Sequence, residues 1–158
     1  MLRCLASLFL VIALTGFAKK NEALSVTFHV ETNERDSKTF AIPVTLKNLK
    51  RATFIEKMPS ITEREIAAIY PFSAPDGTMG CAFKLDSHGS MWLDTLSIEH
   101  RSSALVAMVN GRIVCDLLID QRVANGLITI PSGLTNADIA ILTKKFHLIG
   151  SEKKEKEE

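Results

Sequence analysis

The chain has 158 residues, 46% hydrophobic and 23% charged, the balance of one globular domain. Its 19 Lys and Arg are matched by 18 Asp and Glu, and they form no clustered basic face of the kind that nucleic acid requires. Four histidines and three cysteines are too scattered for a zinc site, so no metal and no cofactor is expected.

The first segment reads as a secretory signal. Arg3 supplies a positive start, Leu5 to Leu14 an apolar core, and Gly16 and Ala18 the small residues that a signal peptidase inspects. That core falls short of the roughly 20 apolar residues that span a bilayer. Residues 1–18 are therefore expected to be a signal peptide cut after Ala18. An uncleaved anchor is the alternative, and Lys19 and Lys20 favour it. Loss of Arg3 leaves 18 basic against 18 acidic residues, a net charge of zero. A periplasmic or secreted location follows, with no integral membrane span after cleavage.

Leu24–Glu31 alternates apolar and polar residues, with Leu24, Val26, Phe28 and Val30 on one face, and predicts a half-buried strand. Asn33 to Lys38 is a polar turn. Thr39–Leu46 is a second strand, held to an edge by Pro43, which has no N–H for a ladder. Ala52–Lys57 adds a short strand. Ser60 and Glu63 resemble a capping box, and Ile61, Ile66 and Ile69 then give a helix an apolar face as far as Pro71.

Asp76-Gly77 turns the chain into a strand over Thr78–Asp86, and His88-Gly89 is a further turn. Ser90–Arg101 predicts a helix, with Trp92, Leu93, Leu96 and His100 near one face. Ala104–Val109 and Arg112–Leu118 flank Asn110-Gly111, the pair that a type I′ hairpin turn demands. Pairing Val109 with Arg112 sets Met108 opposite Ile113 and Val106 opposite Cys115. Asp120-Gln121-Arg122 reads as a solvated bend. Leu127–Ile130 is a short strand, Pro131-Ser132-Gly133 a turn, and Thr135 with Asp138 caps a helix faced by Ile139, Leu142 and Phe146. The tail, Ser151 to Glu158, holds only Ser, Glu and Lys and is expected to be disordered. The predicted fold is α+β: a small, mostly antiparallel sheet with two to three helices packed on one face.

Cys4 leaves with the signal. Cys81 and Cys115 both fall at inward strand positions, either as small apolar side chains or as one disulfide. A bridge would add roughly 3–4 kcal/mol by chain entropy. No nucleophile elbow or phosphate loop occurs, and Asp86-Ser87-His88 is a polar turn rather than a triad, which is assembled across a fold. No catalytic residue is assigned.

Residues 103–142 resemble a known family. Ala107-Met-Val-Asn-Gly111, Arg112–Ile119, Gly126-Leu-Ile-Thr-Ile130 and Gly133-Leu-Thr135 follow the pattern of the head part of the first periplasmic domain of SecD, a membrane subunit of the bacterial protein-export machinery. The helix before Ala104 sits where SecD has one. The likeness spans about residues 75–145 and consists of turn and core positions. It departs from SecD at Asp116-Leu117-Leu118, where a proline is usual. SecD also carries transmembrane helices that do its proton-coupled work, and a charged tail stands here instead. The resemblance implies a stand-alone, non-enzymatic SecD head-like domain over 19–150, which makes protein–protein contact in the cell envelope with an unidentified protein partner. A secreted small-ligand or peptide-binding module and a hydrolase are the alternatives.

One face of the hairpin carries Leu105, Val109 and Val114 beside Arg112 and Asp116. If helices cover a single face of the sheet, these residues form a partner surface, unless Leu24–Leu46 folds over them.

Overall fold

The computed structural model describes residues 24–33 and 40–150. The expected signal segment, its cleavage site, most of the polar turn before residue 39 and the tail from Ser151 lie outside the described residues. Among the described residues ten strands, two helices and one 3₁₀ turn follow in order.

A first sheet is built from β1 (Val26–Thr32), β2 (Ala41–Thr45), β3 (Ala52–Glu56), β4 (Ile61–Thr62), β7 (Ala104–Val109) and β8 (Arg112–Leu118). Its order is β2-β3-β1-β7-β8, and β4 also pairs with β1. Pro43 stands on β2, the edge strand, as its missing N–H requires. A second sheet runs β10-β5-β6-β9, from β5 (Ile66–Ser73), β6 (Met79–Leu85), β9 (Leu127–Leu134) and β10 (His147–Leu148). All pairings are antiparallel except β10 with β5. The helices are α1 (Ser87–Glu99) and α2 (Asn136–Lys145).

The expected single sheet with helices on one face is therefore incorrect. Among the described residues strands take 47% and helix 21%, in two sheets. The main cause is residues 60–71. They form β4, a 3₁₀ turn at Glu63–Glu65 and β5, where a helix was expected. The capping pair is Thr62 with Glu65, whose carboxylate accepts from the Thr62 N–H at 2.8 Å. The three-residue spacing of Ile66 and Ile69 comes from a β-bulge. Ile66 pairs with Leu85 and Ala68 with Lys84, so Ala67 is the extra residue, and Ile69 returns to the inner face. Both isoleucines are buried.

The main core lies where the inner faces of the two sheets meet both helices. Phe28 of β1 and Phe83 of β6 meet edge to face, with centroids 5.8 Å apart, and each is fully buried. Leu93 and Leu96 from α1 and Leu142 from α2 join them. Burial of each such side chain contributes about 1.5–3 kcal/mol. A second, smaller core sits on the opposite face of β7. There Leu46 and Ile55, from the β2–β3 hairpin, cover Ala104 and Val106.

Both helix starts are built by caps. Asp86 accepts from the Gly89 N–H at 2.7 Å, so His88-Gly89 lies inside the first turn of α1 and is not a separate turn. Gly89 is buried, and a Cβ there would lie 2.8 Å from the Glu65 Cβ. Thr135 and Asp138 form the expected reciprocal box on α2.

The β7–β8 hairpin turns through Asn110 at φ 50 and Gly111 at φ 75, the two positive values of a type I′ turn. Gly111→Val should cost about 1–2 kcal/mol, because a β-branched residue is strained there although nothing crowds it. A lowered urea midpoint is the expected result, and an unchanged midpoint would contradict it.

Candidate functional site

The residues expected to form a partner surface are not on one. Leu105 is 4%, Val109 1%, Val114 8% and Asp116 2% exposed. Leu105, Val109 and Val114 belong to the main core. The face predicted to be open is thus the one that the second sheet and the helices cover, and the β2–β3 hairpin covers its reverse. Arg112 is held as well: its guanidinium donates to Asp138 at 2.7 Å and to the Gly133 carbonyl at 3.3 Å.

A bulge in β8 explains where Cys115 and Asp116 point. Met108 pairs with Ile113 as expected, but Ala107 pairs with Cys115 and Val106 with Asp116. Val114 and Cys115 both enter the main core, and Asp116 turns to the other side. There its carboxylate accepts the backbone N–H groups of Lys47 at 2.8 Å, Asn48 at 3.0 Å and Leu49 at 2.9 Å. The Asn48 amide donates back to the Asp116 carbonyl at 3.0 Å. Asp116 therefore latches the loop that follows β2.

Cys81 and Cys115 are free, buried thiols rather than a disulfide. Each donates to a different carbonyl, Cys81 to Ala82 and Cys115 to Asp116. Burial pushes Cys81 up to about 12 and, helped by the Asp116 charge, Cys115 up to about 11. Both should stay unmodified when the native protein is treated with iodoacetamide at pH 8, and both should react in 6 M guanidinium, as judged by mass. Rapid native labelling of either would contradict their burial.

His29 is buried on β1. Its Nδ1 meets the Glu56 carbonyl at 2.8 Å and its Nε2 meets the Thr27 hydroxyl at 3.0 Å. Both ring nitrogens are engaged by structural partners, and neither meets a serine or cysteine. Among the described residues no cluster of His, Cys, Asp or Glu has a metal-binding arrangement. Glu31 belongs to the frame too. Its carboxyl would be raised by burial, but donors from Arg51, Thr53 and the Ala104 N–H outweigh that and hold it below the usual carboxylate range.

An apolar groove lies between the sheets. β8 is the last strand of the first sheet and β9 the last strand of the second. The two edges touch at one end, where a Cβ on Gly133 would lie 3.0 Å from the Val114 carbonyl. They are not paired with each other, and toward the other end an apolar groove of about 290 Å³ lies between them. Leu93 and Leu96 of α1, with Leu105 and Ile128, form its buried floor. Leu117 and Leu118 line one side, Leu127 and Thr129 the other. Leu118 is 49% and Leu127 37% exposed, so the groove presents apolar side chains to water.

The rim is the bend at residues 119–126. It is strapped to α1 by Ser97, whose hydroxyl accepts from the Val123 N–H at 2.9 Å and donates to the Asp94 carbonyl at 2.8 Å. Arg122 adds a two-pronged pair to Asp94, at 2.5 and 2.7 Å, which holds the Asp94 carboxyl below its usual range. Asp120 and Gln121 face the groove. The sequence favours a solvated bend at Asp120-Gln121-Arg122, with a ligand site there as the lesser alternative. The groove is made by two strand edges and a helix that are each ordinary alone. The one local signal was Leu118 and Leu127, apolar residues at strand ends that no alternation required.

No protein-family model matches the sequence, and no curated protein sequence matches it. Solved structures do. A crystal structure of SecDF in a super-membrane-facing form superposes with a TM-score of 0.52 at 14% identity, over 78% of this chain and 19% of that one. A second structure, of SecDF as a membrane component that enhances protein export, superposes with a TM-score of 0.52 at 13% identity, over 78% of this chain and 63% of that one. The chain thus spans about a fifth of one of these proteins and under two thirds of the other. At such identities the likeness is one of fold, and the fold is that of a SecD-like domain, as the motifs at residues 103–142 implied. Among the described residues no helix is long and apolar enough to cross a membrane.

Proposed function

We propose that this protein is a non-enzymatic, protein-binding domain of the cell envelope, located in the periplasm or outside the cell, and that the β8–β9 groove is its contact site. The groove carries this reading. It is the place where two unpaired strand edges and exposed leucines converge over an apolar floor, and such patches on soluble domains mark contact sites. The fold supports the reading, since the similar solved structures belong to a component that enhances protein export. His29 is engaged within β1, and both thiols are buried in the core.

A photo-crosslinking residue at Leu118, in cells exporting a model secretory protein, tests the proposal. Adducts with that protein at residue 118 are expected, and none at Tyr70, which is 56% exposed but does not line the groove. Equal yields at the two positions, or none at residue 118, would overturn it.

A further inference from the structure

We infer that the groove takes an extended, apolar peptide segment with a basic residue beside it, bound as an added β-strand. The inference rests on the groove being the contact site and goes on to name the occupant. It starts from the direction of the backbone. The Leu85 N–H donates to the Gly126 carbonyl at 2.9 Å, and residues 127–130 continue that antiparallel ladder. Peptide groups alternate along such a ladder, so those of Thr129 turn away from β6 and toward the groove. On the other side the Ile119 N–H donates to the Ser103 carbonyl at 2.9 Å. By the same alternation the peptide groups of Leu118 turn away from the chain that leads into β7. The strand-edge peptide groups of Leu118 on one side and Thr129 on the other thus border one apolar groove. An extended peptide satisfies such groups with its own backbone, and its alternate side chains enter the floor.

Charge defines the occupant further. Arg122 is committed to Asp94, whereas Asp120, exposed at the same rim, takes part in no ion pair among the described residues. The rim therefore complements a cation. A lysine or arginine flanking the apolar segment meets Asp120 as the strand docks, and an acidic residue there is repelled.

The test uses fluorescence anisotropy with synthetic peptides of alternating valine and serine bearing a lysine at each end. Three partner peptides are compared: one with glutamate in place of lysine, and two N-methylated on the odd or the even backbone amides. The parent peptide should bind. At least one methylated peptide should bind about tenfold more weakly or worse, because a buried acceptor loses its donor. The glutamate peptide should also bind more weakly, and Asp120→Asn should narrow the gap between lysine and glutamate peptides. Asp120 is exposed, so this variant leaves the core untouched. Retained affinity in both methylated peptides overturns strand addition, and equal binding of lysine and glutamate peptides overturns the charge preference. Neither result touches the contact reading if crosslinks at residue 118 persist. A parent peptide that fails to bind overturns this inference by itself, and absent crosslinks as well would remove both.

Discussion

The double variant Val109→Asp, Val114→Asp should not fold. Both side chains sit in the main core, at 1% and 8% exposure, between the sheets. Neither has a cation aimed at it, since Arg112 is spent on Asp138 and Gly133. An unpaired carboxylate in such a place costs several kcal/mol. Two of them approach or exceed the roughly 5–15 kcal/mol that holds a domain together. Near-ultraviolet circular dichroism at pH 7 should lose its fine structure, and thermal unfolding should lose cooperativity. A folded double variant would mean that this hairpin face is open to water.

The second large effect is expected at Asp116. Its carboxylate satisfies three consecutive backbone N–H groups of the loop over Lys47, Asn48 and Leu49. Hydrogen bonds to a charged group contribute about 1.5–3 kcal/mol each, and they are not additive. Asp116 is itself 2% exposed, and Asp116→Ala leaves those part-buried donors without their acceptor. We expect a loss of about 3–5 kcal/mol by urea denaturation, comparable to removing one partner of a buried pair. Asp116→Asn keeps an acceptor oxygen in place and should lose about half as much. A loss below about 1 kcal/mol for the alanine variant would show that the loop stays in place without its latch.

Val109, Val114 and Asp116 also show where the sequence could be read and where it could not. The Asn110-Gly111 hairpin, the edge position of Pro43 and the Thr135–Asp138 cap were legible because each is decided by local chemistry: positive φ, a missing N–H, a reciprocal hydrogen bond. The bulges were not. An extra residue at Ala67 gave β5 a helical spacing, and a second bulge in β8 exchanged the faces of Cys115 and Asp116. A third lets Pro131-Ser132-Gly133, expected as a turn, remain inside β9, where Leu134 pairs with Met79 and Ile130 with Cys81. Alternation counts residues, and a bulge breaks the count without changing composition. The choice of covered face failed for a related reason. Parity says that a strand has two faces and leaves open which one meets the larger core. The hairpin face expected to lie either open or under Leu24–Leu46 is covered by a second sheet whose first strand had been read as a helix. The groove required still more, because it exists only between β8, β9 and α1 once they are assembled.

The central claim is that the groove between β8 and β9 is where this protein meets a polypeptide. The most direct measurement is a titration of the isotopically labelled protein with the lysine-flanked valine–serine peptide, followed by amide chemical shifts. The account predicts that shifts move at Leu117, Leu118, Leu127 and Thr129, with slowed amide exchange at Leu118 and Thr129. Residues 41–56 of the β2–β3 hairpin should stay unchanged. Shifts confined to that hairpin, or to the outward face around Tyr70, would contradict it.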